Sequence, residues 1–250
     1  MTTSVPAESA APALPHGDSD ALPARVMGVL RSPRATFEAV AADPRWKGIL
    51  ALTFVVSAVS SAILLGTEVG QFALLDQWER TAIAFGQTIN DAQYAAMVEA
   101  SRDRGMAYAV ASSVVSGPVL ALVLAALLFV VFRRSSAGVS YQQVLAVVAH
   151  AGVILAVRQV IAAPVSYARE TLASPTTASL FVTMLDEASP VARFFGIIDL
   201  FVLWWIGTLA IGMSVLFRRP ARPLAIIFVG AYITLALMLA IVMAVTGGTA

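Results

Sequence analysis

Five long apolar runs divide the chain, at residues 48–66, 107–132, 142–165, 191–217 and 224–246. Each is about 19–27 residues long, and a helix needs about 20 to cross the hydrocarbon core of a bilayer. Of all the charged residues only Arg158, Arg193 and Asp199 fall inside these runs. Backbone N–H and C=O groups in lipid must be satisfied within their own segment, so each run predicts a helix. Barrel strands would be about half as long and would alternate apolar with polar positions. The predicted fold class is an all-α integral membrane protein with five transmembrane helices.

The segments between the runs predict further structure. Residues 1–22 are rich in Ala, Pro, Ser and Thr and read as a disordered tail. They lack a basic stretch followed by an apolar core, so the first run is expected to act as the insertion signal and to stay in the protein. Residues 23–246 then form the five-span domain, and 247–250 a short tail. In SPRATFEAVAADPRW (32–46) Ser32 stands as N-cap, Pro33 at the first helical position, and Phe37 and Val40 on one face, with Asp43-Pro44 as the stop. This predicts a short amphipathic helix on the cytoplasmic leaflet, with Arg31 and Arg34 near anionic headgroups. Residues 70–104 predict two outer helices. The first is marked by Phe72, Leu75, Trp78 and Ala82, and the second by Asn90 as cap with Gln93 in capping-box position. Leu180, Phe181, Met184 and Leu185 align for a third at 177–187.

Charge sets the expected orientation. One set of connections carries Arg25, Arg31, Arg34, Arg45, Lys47, Arg133, Arg134, Arg218, Arg219 and Arg222; the other, over longer loops, only Arg80, Arg102, Arg104 and Arg169. The positive-inside rule puts the N-terminus in the cytoplasm and the C-terminus outside. Composition agrees with the membrane class: 59% of residues are hydrophobic and 12% charged, against about 25% charged in soluble domains. The net charge of +1 gives no basic field for nucleic acid, and the absence of cysteine removes disulfides and thiol chemistry. The bias to arginine, with Lys47 the one lysine, suggests a GC-rich bacterial genome.

The candidate chemistry lies inside the membrane. With Pro164 and Pro190 as outer helix ends, Arg158 is expected about 9 Å deep, Asp199 about 14 Å and His150 about 21 Å, from a rise of 1.5 Å per residue. Arg158 and Asp199 then meet at similar depth on antiparallel spans, where a pair is favoured over two lone charges. The pair is either a structural lock of spans three and four or, with His150, an intramembrane site for an ion, proton or small ligand. Ser112, Ser113 and Ser116 form a small polar face on span two, for packing or for lining a polar cavity with Arg158 and Asp199. Gly117-Pro118 should kink that helix. His150 is expected to be neutral and bonded to a neighbouring hydroxyl. Of Trp204 and Trp205, at least one should face the bundle with an acceptor for its indole N–H. One His and one Asp do not make a metal site, and no cofactor fingerprint, phosphate loop, nucleophile elbow or HExxH is present. No enzymatic activity and no cofactor are expected.

Several segments together resemble the Yip (Ypt-interacting protein) domain family. They are SPRATFEAVAADPRW before the first span, VSYQQVLAVVAHAGVI entering the third, and SPVARFFGIIDLFVLWWIGTLAIG opening the fourth, with Asp199 and the Trp204-Trp205 pair. The resemblance covers about residues 25–246. It implies five spans with a cytoplasmic N-terminus and, for eukaryotic members, Golgi and endoplasmic-reticulum membranes and Rab-type GTPase partners. For this chain the expectation is a multi-pass protein of the bacterial cytoplasmic membrane that is a non-enzymatic scaffold or recruits a protein partner of unassigned identity. Its other expected partner is the lipid bilayer, not nucleic acid. The alternative is a small transporter or channel-like protein working through His150, Arg158, Asp199, Ser112 and Ser116.

Overall fold

The computed structural model describes residues 21–133, 138–182, 184–185 and 189–246. All but two residues of the first expected tail, and the whole C-terminal tail, lie outside them. Among the described residues the chain is helical, and five helices are long and apolar enough to cross a membrane. They are α3 (Lys47–Leu65), the continuous α5–α6 (Asp91–Phe132), α7–α8 (Tyr141–Ala168), α10 (Leu200–Phe217) and α11 (Ala221–Thr246). All five agree with the apolar runs to within one residue at one end at least.

The third span is the centre of the bundle. Every residue from Val144 to Ala151 is buried, as expected for a helix that is apolar all round and enclosed by neighbours. α7 (Tyr141–Ala151) and α8 (Val153–Ala168) are packed between α3, α6 (Leu120–Phe132) and α10. The peripheral spans instead turn apolar stripes outward: Val55, Val59 and Ile63 on α3, Val123, Leu127 and Val130 on α6, and Leu235, Met238 and Val242 on α11 are all exposed. Stripes of this extent belong in lipid. The molecule is a multi-pass membrane protein.

The N-terminal flank departs from expectation. Two helices, α1 (Leu22–Arg31) and α2 (Pro33–Ala42), form a hairpin. It is tight enough that a side chain on Gly28 would collide with Thr36. Val29, Phe37 and Val40 are buried. α2 packs on α10 and α7, and Gln143 Nε2 donates to the Ala41 carbonyl at 2.9 Å. The face expected on the leaflet is therefore covered by protein, because bundle helices offer Phe37 closer packing than headgroups do. Pro33 opens α2 as expected, but Ser32 makes no side-chain cap bond, its φ/ψ of −144°/63° lying outside the usual cap geometry.

At the opposite end, Thr67 caps α4 (Glu68–Ala84) by accepting from the Gly70 N–H at 3.0 Å. The buried face of α4 is Gly70, Ala73, Leu74 and Leu75, and Phe72 points outward. The 3–4 spacing through Phe72 thus named the helix, and its stripe straddles the edge of the packed face, with Leu75 inside and Phe72 outside. Trp78 still packs inward, edge-on to Tyr108 at 5.5 Å. The Asn90–Gln93 capping box forms with both bonds, at 2.9 and 3.0 Å. α5 (Asp91–Val114) then runs unbroken into span two, so that outer helix and span are one rod of 42 residues. At Gly117-Pro118, where a kink is expected, the rod takes π geometry over Val115–Val119, the local widening that accommodates a proline lacking its N–H.

The fourth run is not one helix. α9 (Pro190–Ile197) stops, Ile198 and Asp199 are extended, and α10 begins at Leu200. The third outer helix expected at 177–187 is also absent from the described part of that segment, where only a 3-10 turn forms at Ala178–Phe181; Thr183 and residues 186–188 lie outside it. One cause serves both corrections. Thr177 forms an antiparallel bridge with Asp199, in which Ala178 N–H donates to Ile198 O at 2.7 Å and Leu200 N–H to Thr176 O at 3.0 Å. The loop is used to satisfy the backbone that the break sets free.

Candidate functional site

Asp199 is the organiser of this break. As N-cap of α10 its Oδ1 accepts from the backbone N–H of Phe201 at 2.8 Å and of Val202 at 3.4 Å. Its Oδ2 accepts from Arg158 Nε at 2.8 Å, Ser174 Oγ at 2.9 Å and Thr176 Oγ1 at 2.8 Å. The negative charge also stands at the positive end of the α10 dipole. Tyr232 of α11 closes the other side, accepting from the Asp199 N–H at 3.1 Å and donating to Ile197 O at 2.6 Å. A single phenol thus bridges backbone groups on both sides of the interruption. Asp199 is 3% exposed.

Arg158 reaches this carboxylate from α8. Its Nη2 also donates to Ser174 Oγ at 2.9 Å, and 27% of its side chain stays exposed. The ion pair expected between spans three and four is present, but Asp199 is held at a helix start and not in mid-helix. Sequence reasoning missed Ser174, Thr176 and Tyr232. Their signals were the Ser-Pro-Thr-Thr stretch at 174–177 and a lone tyrosine within the fifth run.

Beside the pair lies a cavity of about 450 Å³ between α3, α5–α6, α8 and α10. Ser112, Ser113, Ser116 and Arg158 all line it. Ser112 and Ser113 each donate to Ala109 O, at 3.1 and 2.7 Å, within their own helix. Across the cavity Gln159 Nε2 donates to Ser61 Oγ at 2.9 Å and ties α8 to α3. The polar face of span two and the arginine of span three therefore share one space, while the Asp199 carboxylate is engaged behind it.

His150 is not part of that wall. It is fully buried, with Nδ1 2.7 Å from Ala146 O, so the expected hydroxyl partner is replaced by a backbone carbonyl one turn back. Its Nε2 finds no hydrogen-bond partner among the described residues. Trp205 faces the bundle and lines the cavity, while Trp204 is 45% exposed. The Trp205 Nε1 is buried without the acceptor expected for it among the described residues. No group of three or more His, Cys, Asp or Glu that could hold a metal occurs among the described residues.

Among curated proteins and solved structures none matches the chain. The Yip1 domain family does, over residues 27–243. That interval runs from α1 to the last turns of α11 and takes in the hairpin, the cavity and the Asp199 break. On a match of that length, the chain belongs to the Yip1 domain family.

Proposed function

We propose that this protein is a non-enzymatic scaffold that recruits a protein partner in the bacterial cytoplasmic membrane, with its N-terminus in the cytoplasm and its C-terminus outside. The observation that carries the reading is the state of Asp199. Its carboxylate accepts five bonds from the protein's own donors, and a carboxylate has about four lone-pair sites. Nothing remains for a travelling proton or cation, so the pair acts as a lock on the α9–α10 break. Membership of the Yip1 family suggests protein partners, and no carboxylate or histidine is among the cavity-lining residues, which leaves no acid–base pair for catalysis there. The orientation rests on the basic residues of the N-terminal flank and of the second-to-third and fourth-to-fifth connections.

The second reading is a small transporter or channel-like protein, favoured by the cavity that reaches Arg158. Crosslinking in intact membranes, followed by capture in mild detergent, is expected to retain a stoichiometric protein partner. Solute flux in proteoliposomes that is abolished by Asp199→Asn would favour the second reading over the first. A reporter fused after Ala250 that is active only in the cytoplasm would overturn the orientation.

A further inference from the structure

The cavity is chemically divided along the membrane normal. Between its middle and the α4 end its walls carry Ser57 and Ser61 of α3, Ser116 of the π-turn, and Arg158 and Gln159 of α8, with Leu64, Leu65 and Leu172 beyond them. Toward the hairpin end they are mostly apolar, with Leu50, Leu120, Ala121, Leu124, Val148 and Ala149, and the Thr53 hydroxyl there is spent on the Leu50 carbonyl at 3.0 Å. On α3, Leu50 and Ser61 are about 16 Å apart at 1.5 Å per residue, so the division extends over about half the hydrocarbon core.

The polar half is rich in donors. Of the five N–H groups of a guanidinium, Arg158 commits its Nε–H and one on Nη2, and the other three have no partner among the described residues. The hydroxyl hydrogens of Ser57, Ser61 and Ser116 are likewise uncommitted there. Ser61 accepts from Gln159 and keeps its own hydrogen free. Arg158 is the one charged residue among the lining residues, and Asp199, which balances it, is turned away and saturated. Such a wall selects a head with several acceptor oxygens, and the apolar half selects a hydrocarbon tail. The volume is in the range of about 300–1,000 Å³ typical of small-molecule sites.

We propose that this cavity binds an amphiphile with an acidic oxygen head, a phosphate or a carboxylate, seated at Arg158 and the serine wall, with one hydrocarbon chain lying along the leucine-lined half. A lipid of the leaflet at the α4 end has this orientation already, with its head toward that surface and its tail toward the bilayer centre. The two sources of such a ligand are a membrane phospholipid and a free fatty acid. The function is binding, and it stands independently of partner recruitment. Because Asp199 offsets the arginine charge, hydrogen bonding more than net charge holds the head, and the binding is reversible.

The test uses the full chain in a mild non-ionic detergent. Oleic acid, oleoyl lysophosphatidic acid and oleyl alcohol share one type of chain and differ in the head. Both acids are expected to bind at least about tenfold tighter than the alcohol, the difference made by one charge-assisted contact. Ser57→Leu with Ser116→Leu, which removes two donors and fills the space, is expected to weaken the acids by about tenfold or more and the alcohol far less. Equal affinity for acid and alcohol in the unaltered protein would overturn the proposal, whether or not the double variant folds. Native mass spectrometry of protein taken directly from membranes separates the sources, since a retained diacyl phospholipid and a retained fatty acid differ in mass. Oleic acid that competes with neither lysophosphatidic acid nor the retained species would also overturn it.

Discussion

Phe37 lies against Gly212 so closely that a Cβ on that glycine would come within 3.0 Å of the ring atoms Cδ1 and Cε1. The contact joins the N-terminal hairpin to α10 in the half of the bundle nearest the hairpin, and Val147 of α7 completes the socket. The ring is fully buried, as are Val144, Val147 and Met213 of the same cluster. The absence of a side chain at Gly212 is what lets α2 dock as a structural element.

Gly212→Leu is therefore expected to expel the hairpin. Overpacking of a filled core costs about 1–3 kcal/mol, and here the backbone cannot move without carrying α10. Limited proteolysis between α2 and α3 should become faster, while the five spans remain inserted. Phe37→Ala should destabilise by about 3–5 kcal/mol in thermal unfolding in detergent. Unchanged proteolysis in the glycine variant would show that α2 does not rest there.

Arg158 and Asp199 should be energetically coupled. Breaking a buried pair by removing one partner costs about 3–5 kcal/mol, while replacing both can be nearly neutral. The geometry adds an asymmetry. Asp199→Leu removes five accepted bonds, two of which cap α10, whereas Arg158→Leu removes two donated bonds. The aspartate variant is expected to be the more damaging, and the double variant less damaging than the sum of the two. A double-mutant cycle on thermal stability reads both statements. Additive effects would mean that the pair is not formed.

Tyr232→Phe deletes one hydroxyl that bridges the Asp199 N–H and Ile197 O. Two buried backbone groups lose their partner, for a loss of about 1–3 kcal/mol each when unsatisfied. Hydrogen exchange should quicken at Asp199 and at the first turn of α10 while α11 stays protected. Exchange that rises uniformly along α11 instead would indicate a general packing defect.

Thr246 Oγ1 donates to Ala84 O at 3.3 Å, joining the end of α11 to the end of α4. The chain has no cysteine, so Ala84→Cys with Thr246→Cys supplies a clean pair for a short dithiol-reactive crosslinker. Efficient intramolecular crosslinking is the expected result. Its absence in folded protein would separate the two ends.

Much of the architecture was legible from pattern alone, because lipid imposes a severe rule. A run of about 20 apolar residues has only the helix available to it, so α3, α7–α8 and α11 follow from hydropathy. The Asn90–Gln93 box and Pro33 were legible for a local reason: caps and proline act within one turn of themselves. The Arg158–Asp199 pairing followed from the cost of a lone charge in lipid, which any fold of these spans must avoid.

The tertiary structure decided everything that depends on which backbone groups find a distant partner. Hydropathy reads residues 191–217 as one span, since it weighs side chains and is blind to the main chain. The break at Ile198-Asp199 is stable only because Thr176, Ala178 and Tyr232, remote in sequence, satisfy its N–H and C=O groups. For the same reason the apolar face of 177–187 did not signal its true role as a partner of that break. Phe37 and Val40 announced an amphipathic face, but whether lipid or protein covers such a face depends on a vacancy in a neighbour. Gly212 supplied that vacancy, and only the packing of α2 on α10 reveals it.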